Sequence, residues 1–207
     1  MKTRERILHT SLALFNQLGE PNVTTNHIAD ELDISPGNLY YHFRNKGSIV
    51  EELYQRFEAQ IDPVLRVPEA REPDMEDMWL YLHVVFETIR DYRFLYRDLN
   101  DLLGRYAAIA KRFRILLGRK RETAYRICYG LADAGVMNAS RREVEVVAEN
   151  IALLITFWLG YSHATSDNPE DRLADGVYHV MSLVVPFLDG SERLMFSRLS
   201  ETYLTAT

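Results

Sequence analysis

Cysteine and long apolar runs are the scarcest features of this chain of 207 residues. The one cysteine, Cys128, cannot form an intrachain disulfide, and no metal-ligand spacing surrounds it. The longest apolar run, residues 151–159, is too short to span a bilayer, and no signal-peptide core follows Met1. We therefore expect a cytoplasmic protein that has no membrane contact and no metal or other cofactor.

Catalytic motifs are also missing. The six histidines show no His-x-x-x-His or other metal spacing, and the sequence has no nucleophile elbow, phosphate-binding loop or dinucleotide fingerprint. Adjacent carboxylates such as Glu51 and Glu52 fit a solvated helix face. An enzyme is not expected.

An excess of positive charge is the third absence. The net charge is −6. Because acidic and basic residues balance within residues 1–50, the whole negative charge lies in residues 51–207. A protein that coats nucleic acid nonspecifically is usually basic. Any DNA contact should therefore depend on a few placed groups in the N-terminal region.

Helical periodicity runs through the whole sequence, so we predict an all-α protein. A first helix over residues 3–18 ends at Gly19, a second is capped by Thr24 or Thr25, and a third follows the cap Ser35 with Pro36 at its first position. Later helices are predicted at about 48–65, 74–91, 94–103, 105–134, 141–164 and 170–188, with a polar tail that could be helical at 191–203.

The segment 24–46 has the pattern of a helix-turn-helix, whose second helix places its N-terminal end in the DNA major groove. Gly37 allows a close backbone approach, Pro36 can pack on a thymine methyl group, and Asn38 can pair with a base edge. Ser35 belongs to the same end of the helix, whereas Thr25, Tyr40, Tyr41, His42 and Lys46 suit phosphate oxygens. The predicted DNA-binding residues are Thr25, Ser35, Pro36, Gly37, Asn38, Tyr40, Tyr41, His42 and Lys46. The alternative is that these are ordinary packing or surface residues of a helical scaffold.

Residues 4–54 resemble the N-terminal domain of the TetR family of bacterial transcriptional regulators. The matching elements are Arg6-Ile7-Leu8, Phe15, Gly19, Val23-Thr24, Ile28-Ala29, Ile34-Ser35, Gly37, Leu39-Tyr40-Tyr41-His42-Phe43 and Lys46. The resemblance implies an all-helical homodimer whose N-terminal domains read a palindrome in double-stranded DNA. It also implies a C-terminal domain that binds a small-molecule effector, and this binding releases the protein from DNA.

The resemblance assigns roles to individual positions. It places Thr25, Tyr40, His42 and Lys46 at phosphate contacts, and it places Pro36, Gly37, Asn38 and Tyr41 at or near the bases. We therefore predict a helix-turn-helix DNA-binding domain over residues 1–47 and a helical effector-binding and dimerisation domain over residues 48–207.

Three positions depart from the family pattern. Asp33 stands where the turn usually has glycine, so it should adopt the left-handed conformation at some cost. Gly47 stands where an acidic residue usually opens the fourth helix, which loses a favourable dipole contact. Ser11 replaces a small apolar residue, from which we infer nothing.

Aromatic residues are dense in the C-terminal part, and a bundle of this kind can enclose an apolar pocket. The alternative is that each aromatic side chain belongs to an ordinary core, and only the family resemblance favours a pocket. The predicted pocket residues are Phe86, Phe94, Leu103, Tyr125, Tyr129, Phe157 and Tyr161.

A basic run between Arg105 and Arg126 contains a single acid, Glu122. A solvated helix face is the first interpretation. An anionic group on the ligand, such as a carboxylate or a phosphate-bearing thioester, is the second, and extra contact with DNA phosphate is the third.

The helices near 141–164 and 170–188 are predicted to form the dimer interface, because their apolar residues cover more surface than one core requires. The alternative is burial within one subunit. The predicted interface residues are Val144, Val147, Ala148, Ile151, Ala152, Ile155, Leu159, Val177, Val180, Met181 and Val184.

The sequence thus predicts a dimeric repressor that leaves its operator when an apolar or amphiphilic ligand binds. The stretches 19–23 and 35–43 are similar to the branch that regulates polyhydroxyalkanoate or fatty-acid metabolism, which points to an acyl ligand. Two alternatives remain: a DNA-binding regulator whose C-terminal domain only dimerises, and a helical enzyme or adaptor.

Overall fold

The structure is a computed structural model that describes residues 2–66, 71, 73–168, 172–190, 192–194 and 196. Over these residues the regular elements are all helices, and extended pairing is limited to one bridge between Met137 and Leu188. The predicted all-α class is confirmed.

Ten α-helices follow one another in the described residues. They are α1 Thr3–Leu18, α2 Thr25–Glu31, α3 Pro36–His42, α4 Lys46–Ile61, α5 Met75–Asp91, α6 Phe94–Arg97, α7 Leu99–Arg105, α8 Ala107–Asp133, α9 Arg141–Thr165 and α10 Leu173–Ser182. Single 3-10 turns lie at Glu20–Asn22 and Val185–Phe187. The helix predicted at 94–103 is two short helices that meet at Asp98, and most of the tail predicted at 191–203 lies outside the described residues.

The helix-turn-helix is built by local signals that the sequence displays. The Thr24 hydroxyl caps α2 by accepting the amide of His27 at 3.1 Å, and the Ser35 hydroxyl caps α3 by accepting the amide of Asn38 at 3.1 Å. Asp33 adopts the expected left-handed conformation, with φ of 53°. This backbone geometry closes the turn, and the amide of the next residue, Ile34, donates to a carbonyl in α2.

The chain packs as two compact units. The first consists of Met1–Gln60 and Asp91–Arg112, and the second of Ile61–Arg90 and Phe113–Thr207. This division concerns packing. The functional boundary that we place between residues 47 and 48 remains a prediction.

Aromatic side chains form the core of the first unit. The rings of Phe15 and Phe94 lie 5.4 Å apart between centroids, and Phe57 lies within 6 Å of Tyr54, Tyr92 and Tyr96. Offset aromatic contacts of this kind add to the burial of apolar area. They tie α1 and α4 to the short helix α6.

The second unit is centred on α9, which packs closely against α10. A Cβ at Gly176 would lie 2.5 Å from the ring of Phe86 and 2.8 Å from that of Trp158, so only glycine fits there. The indole N–H of Trp158 donates to the carbonyl of Arg172 at 2.8 Å. By length and composition alone, α9 is apolar enough to cross a membrane, but half of that window is buried in the chain, as in the core helix of a globular protein.

Candidate DNA-binding site

The N-terminal edge of α3 is open to solvent. Ser35, Pro36, Gly37 and Asn38 are all exposed, and so is Tyr41 at 85%. The opposite side of the same helix is anchored in the core of the first unit through Leu39 and Phe43. A short helix held on one side and bare at its leading edge has the form needed to enter a groove.

Two side-chain pairs lie around this edge, one joined through hydroxyl groups and one through aromatic rings. The Thr25 hydroxyl lies 2.9 Å from the phenol oxygen of Tyr40, which joins the start of α2 to α3. Tyr41 and His42 meet edge to face with ring centroids 5.1 Å apart. Eight of the nine predicted DNA-binding residues lie on α2, α3 or its cap, and most of them present backbone, hydroxyl or amide groups for hydrogen bonding.

Lys46 behaves differently from the other eight residues. Its ammonium group donates to the carbonyl oxygens of Glu20 and Val23 at 2.8 and 2.9 Å, and it lies 3.0 Å from a carboxylate oxygen of Glu20. The side chain is 22% exposed. In this structure the charge of Lys46 is directed into the first unit.

Glu20 is a residue that sequence reasoning missed. It is fully buried, and it also accepts the phenol of Tyr106 at 2.7 Å and pairs with Arg105. Burial, together with the hydrogen bond to Glu20, raises the pKa of Tyr106 above its ordinary value. The local sequence gave no sign of this, because the partners follow 85 and 86 positions later.

The predicted pocket residues are divided between the two units. Phe94 and Leu103 belong to the first unit, where Phe94 packs on Phe15, and the other five belong to the second. Within the second unit Phe86 is buried beneath Gly176, whereas Tyr125 and Tyr129 stack on each other 5.9 Å apart.

Phe157 and Tyr161, about half exposed, border an open surface cavity of about 350 Å³ on the second unit. Leu153, Trp158 and His179 are also part of its lining. The two predicted residues thus lie on a surface of α9 rather than inside an enclosed pocket.

A different cavity of about 290 Å³ lies within the second unit, after the end of α4 and against α5 and α8. It is lined by Pro63, Val64, Arg66, Asp77, Leu80, Tyr81, Val84, Thr123 and Ile127. Asp77 is held by a bidentate pair with Arg71 at 2.6 and 2.7 Å, which keeps the pKa of its carboxyl below the ordinary value. The hydroxyl of Thr123 donates to the Leu65 carbonyl at 3.0 Å. The walls that remain are largely apolar.

The basic run on α7 and α8 is partly neutralised inside each unit. Arg112 pairs with Glu58 in the first unit, and Arg119 pairs with Asp62 in the second. Lys120 is buried, which lowers its pKa to about 7. The first interpretation, a solvated helix face, therefore fits the exposed members Lys111, Arg114, Arg121 and Arg126, whereas Arg105, which is also exposed, pairs with the buried Glu20.

The eleven residues predicted for the dimer interface need correction. Each is at most 5% exposed within the single chain, so each already belongs to the core of its own protomer and has almost no area left for a second copy. They are Val144, Val147, Ala148, Ile151, Ala152, Ile155, Leu159, Val177, Val180, Met181 and Val184. The exposed apolar residues of α9 form a separate stripe, Val146, Leu153, Phe157 and Tyr161, between 49% and 56% exposed.

Comparison with known proteins agrees with this geometry. A TetR family model described as "Bacterial transcriptional repressor" matches residues 56–196, and one described as "Bacterial regulatory proteins, tetR family" matches residues 7–53. The solved structure of a TetR-family transcriptional regulator from Marinobacter aquaeolei VT8 is 41% identical, with a TM-score of 0.90. The alignment covers 98% of this chain and 99% of that one.

More distant relatives share parts of the chain. The probable acrEF/envCD operon repressor of Escherichia coli K12 is 32% identical over 92 residues, which are 44% of this chain and 37% of that repressor. The chain thus matches little more than a third of the length of this curated relative. A Saccharomonospora viridis protein solved in complex with choline has a TM-score of 0.63 at 23% identity, over 85% of this chain and 95% of its own, and shows the fold alone.

Proposed function

Because the chain belongs to the TetR family of bacterial transcriptional regulators, we propose that it is a cytoplasmic repressor. It binds a palindromic operator as a homodimer and leaves it when a small molecule binds the second unit. Regulators of this family bind operators, dimerise and bind small ligands. The observation that carries the proposal is the exposed leading edge of α3, held from behind by Leu39 and Phe43.

The contacts divide into two kinds. Pro36, Gly37, Asn38 and Tyr41 meet the bases, because they occupy the end of the helix that enters the groove. Thr25, Ser35, Tyr40 and His42 meet phosphate oxygens and set the register of the protein on the duplex. Few of these groups are charged, so binding should depend on shape and placement more than on neutralising many phosphates.

A second copy of this chain covers the exposed stripe of α9. Val146, Leu153, Phe157 and Tyr161 recur at intervals of seven, four and four residues, which puts them on one helix face. Exposed apolar residues that share one helix face mark an interaction site in a soluble protein, and here only the turn after Val146 carries polar residues, Glu149 and Asn150. Pairing the same face of two copies is the isologous contact expected of a dimer that reads a palindrome.

The ligand occupies the cavity of about 290 Å³ in the second unit. Apolar walls with Arg66 in the lining suit an amphiphile that has an acyl tail and an anionic end, because the other charged lining group, the Asp77 carboxylate, is already paired with Arg71. This agrees with the similarity of residues 19–23 and 35–43 to the polyhydroxyalkanoate and fatty-acid branch. A hundredfold release would require about 2.7 kcal/mol of coupling between the two sites.

Selection from a randomised duplex library tests the DNA part of the proposal. The purified chain should enrich a two-fold symmetric sequence, and footprinting should protect two half-sites on one face of the duplex. Enrichment of no sequence would overturn operator binding. Enrichment of a single half-site would overturn binding as a dimer.

Thermal unfolding with fatty acids and 3-hydroxy acids of graded chain length tests the ligand part. A true effector raises the unfolding midpoint by mass action and also dissociates the enriched duplex. If no acid does either, the alternative function is favoured, in which the C-terminal part only dimerises.

A further inference from the structure

Glu20 lies at the centre of a buried ionic cluster in the first unit. It is 0% exposed and occupies the 3-10 turn between α1 and α2. Its carboxylate meets the Lys46 ammonium at 3.0 Å, accepts the Tyr106 phenol at 2.7 Å and pairs with Arg105. These partners come from the start of α4, the end of α7 and the residue that follows α7.

Within this cluster, the Lys46 ammonium group binds the 3-10 turn at Glu20–Asn22 and the residue that follows it. An ammonium group has three donors, and three oxygens lie within 3.0 Å of this one: the carbonyls of Glu20 and Val23 and the Glu20 carboxylate. Val23 directly precedes Thr24, the cap of α2. Lys46 therefore fixes the backbone that leads into the helix-turn-helix.

The segment around residues 97–106 is also bonded to this turn and to the last part of α1. Asp98 accepts the backbone amide of Glu20 at 3.2 Å, and Arg97 donates to the carbonyls of Phe15 and Asn16 at 2.8 and 3.1 Å. A Cβ at Gly47 would lie 3.2 Å from the Tyr106 ring. That ring lies where the acidic residue typical of the family would begin to extend.

We propose that Glu20 is a positioning residue for operator binding, and that Lys46 acts on DNA affinity through Glu20 instead of contacting a phosphate. The carboxylate holds Lys46 on the turn before α2 and joins this turn to Arg105 and Tyr106. DNA affinity therefore depends on a charge that is buried and cannot touch the duplex. The proposal rests on the operator binding proposed above.

The proposal predicts a change in DNA affinity opposite in direction to the one expected from net charge alone. Removing a negative charge from a DNA-binding protein should by itself strengthen its attraction to DNA. Removing the charge of Glu20 should do the opposite, because Lys46, which is only 22% exposed, then loses its carboxylate partner and the turn loosens. If the binding-competent fraction falls to about a tenth, the apparent affinity falls about tenfold.

Glu20→Gln tests this sign. The probe is the duplex that the wild-type chain enriches from a randomised library, titrated well below the unfolding midpoint of every protein. We expect an affinity loss of roughly tenfold with an unchanged slope of log affinity against log salt. The matched control is Glu51→Gln, the same charge change at an exposed position of α4, which should bind as tightly as wild type or more so. Wild-type affinity for Glu20→Gln would overturn the proposal.

Lys46→Met and the double variant separate the two roles of Lys46. If Lys46 acts through Glu20, each single change and the double change weaken binding to a similar extent, and none alters the salt slope. If Lys46 contacts a phosphate, Lys46→Met lowers the slope by about 0.9 and its effect adds to that of Glu20→Gln. The second pattern would overturn the proposal.

Hydrogen exchange provides a test that does not require DNA. In Glu20→Gln the amides of residues 22–32 should exchange faster, while those of α9 keep their wild-type protection. If Glu20→Gln fails to fold, Tyr106→Phe removes a single hydrogen bond to Glu20, keeps the ring beside Gly47, and should change exchange in the same residues to a smaller extent. Unchanged exchange at residues 22–32 in the folded variants would overturn the proposal, whereas failure to enrich any duplex would count against operator binding alone.

Discussion

The hydroxyl of Thr25 and the phenol of Tyr40 lie 2.9 Å apart, so the first residue of α2 is bonded to the middle of α3. Both groups are accessible, and each keeps the capacity for a further hydrogen bond. The pair fixes the spacing of two helices and still offers hydroxyl groups to a phosphate. Because Tyr40 serves both purposes, its substitution tests how the protein is positioned along the duplex.

Tyr40→Phe should weaken binding to all duplexes by about 0.5–1 kcal/mol, because it removes one hydrogen bond that positions the two helices. The ratio of affinities for the enriched operator and for random duplex should not change. Titration of both duplexes at one salt concentration measures this ratio. A loss confined to the operator would mean that Tyr40 reads bases.

Asn38→Ala should relax the preference at one base position and cost about 1–3 kcal/mol there. Competition between operators that carry each of the four bases measures the effect. Ser35→Ala is the informative comparison, because its hydroxyl caps α3 at 3.1 Å from the Asn38 amide. That variant should lose about 1 kcal/mol of stability. An equal penalty for Asn38→Ala at every base would contradict base readout.

Asp33→Gly should stabilise the folded chain by up to about 1 kcal/mol, because Asp33 has a φ of 53° and glycine meets no Cβ penalty there. The greater freedom of glycine in the unfolded chain offsets part of this gain. Asp33→Ala should destabilise by about 1 kcal/mol for the same steric reason. Urea unfolding of the three proteins gives both values, and an alanine variant as stable as wild type would refute the explanation.

Structural features that depend on residues close in sequence could be predicted for this fold, whereas contacts between residues distant in sequence could not. Caps, a left-handed turn and helical spacing act within a few residues, so the Ser35 cap and the Asp33 turn were predicted correctly, and Thr24 was one of the two candidates for the α2 cap. The cluster of Glu20 depends on partners 85 and 86 residues away, which no local pattern announces. The sequence of an apolar helix such as α9 also does not indicate which face packs in the core of its own protomer and which face stays exposed.

Two neighbouring residues of α9 should respond in opposite ways. Ile155 is 1% exposed and Phe157 is 49% exposed. Ile155→Ala should cost about 2–4 kcal/mol of stability and leave the dimer intact, since it opens a cavity in the protomer core. Phe157→Asp should dissociate the dimer, because it places a charge in the apolar contact between copies.

Sedimentation equilibrium and urea unfolding of the same samples separate these effects on α9. Ile115→Asp, an exposed apolar position on α8, is the control for charge at a surface hydrophobe and should remain dimeric. A dimeric Phe157→Asp variant would refute the assignment of the α9 stripe to the interface.

Lys120 makes stability depend on pH. It is 1% exposed, and burial lowers its pKa from 10.5 to about 7, because the charged form is poorly solvated inside the second unit. Below about pH 7 both the folded and the unfolded chain hold the proton, so the folded chain carries a charged ammonium group at a poorly solvated position. Between that pH and the unfolded pKa only the unfolded chain binds it, so stability rises with pH across this window.

Lys120→Met should therefore stabilise the chain by about 1–4 kcal/mol near pH 6.5, and this gain should shrink as the pH rises towards 9. Urea unfolding of both proteins across that range measures the difference. Lys111→Met, an exposed lysine on the same helix, should show no such trend. A stability difference between wild type and Lys120→Met that stayed constant with pH would mean that Lys120 keeps its proton in the folded chain across this range, and it would refute the lowered pKa.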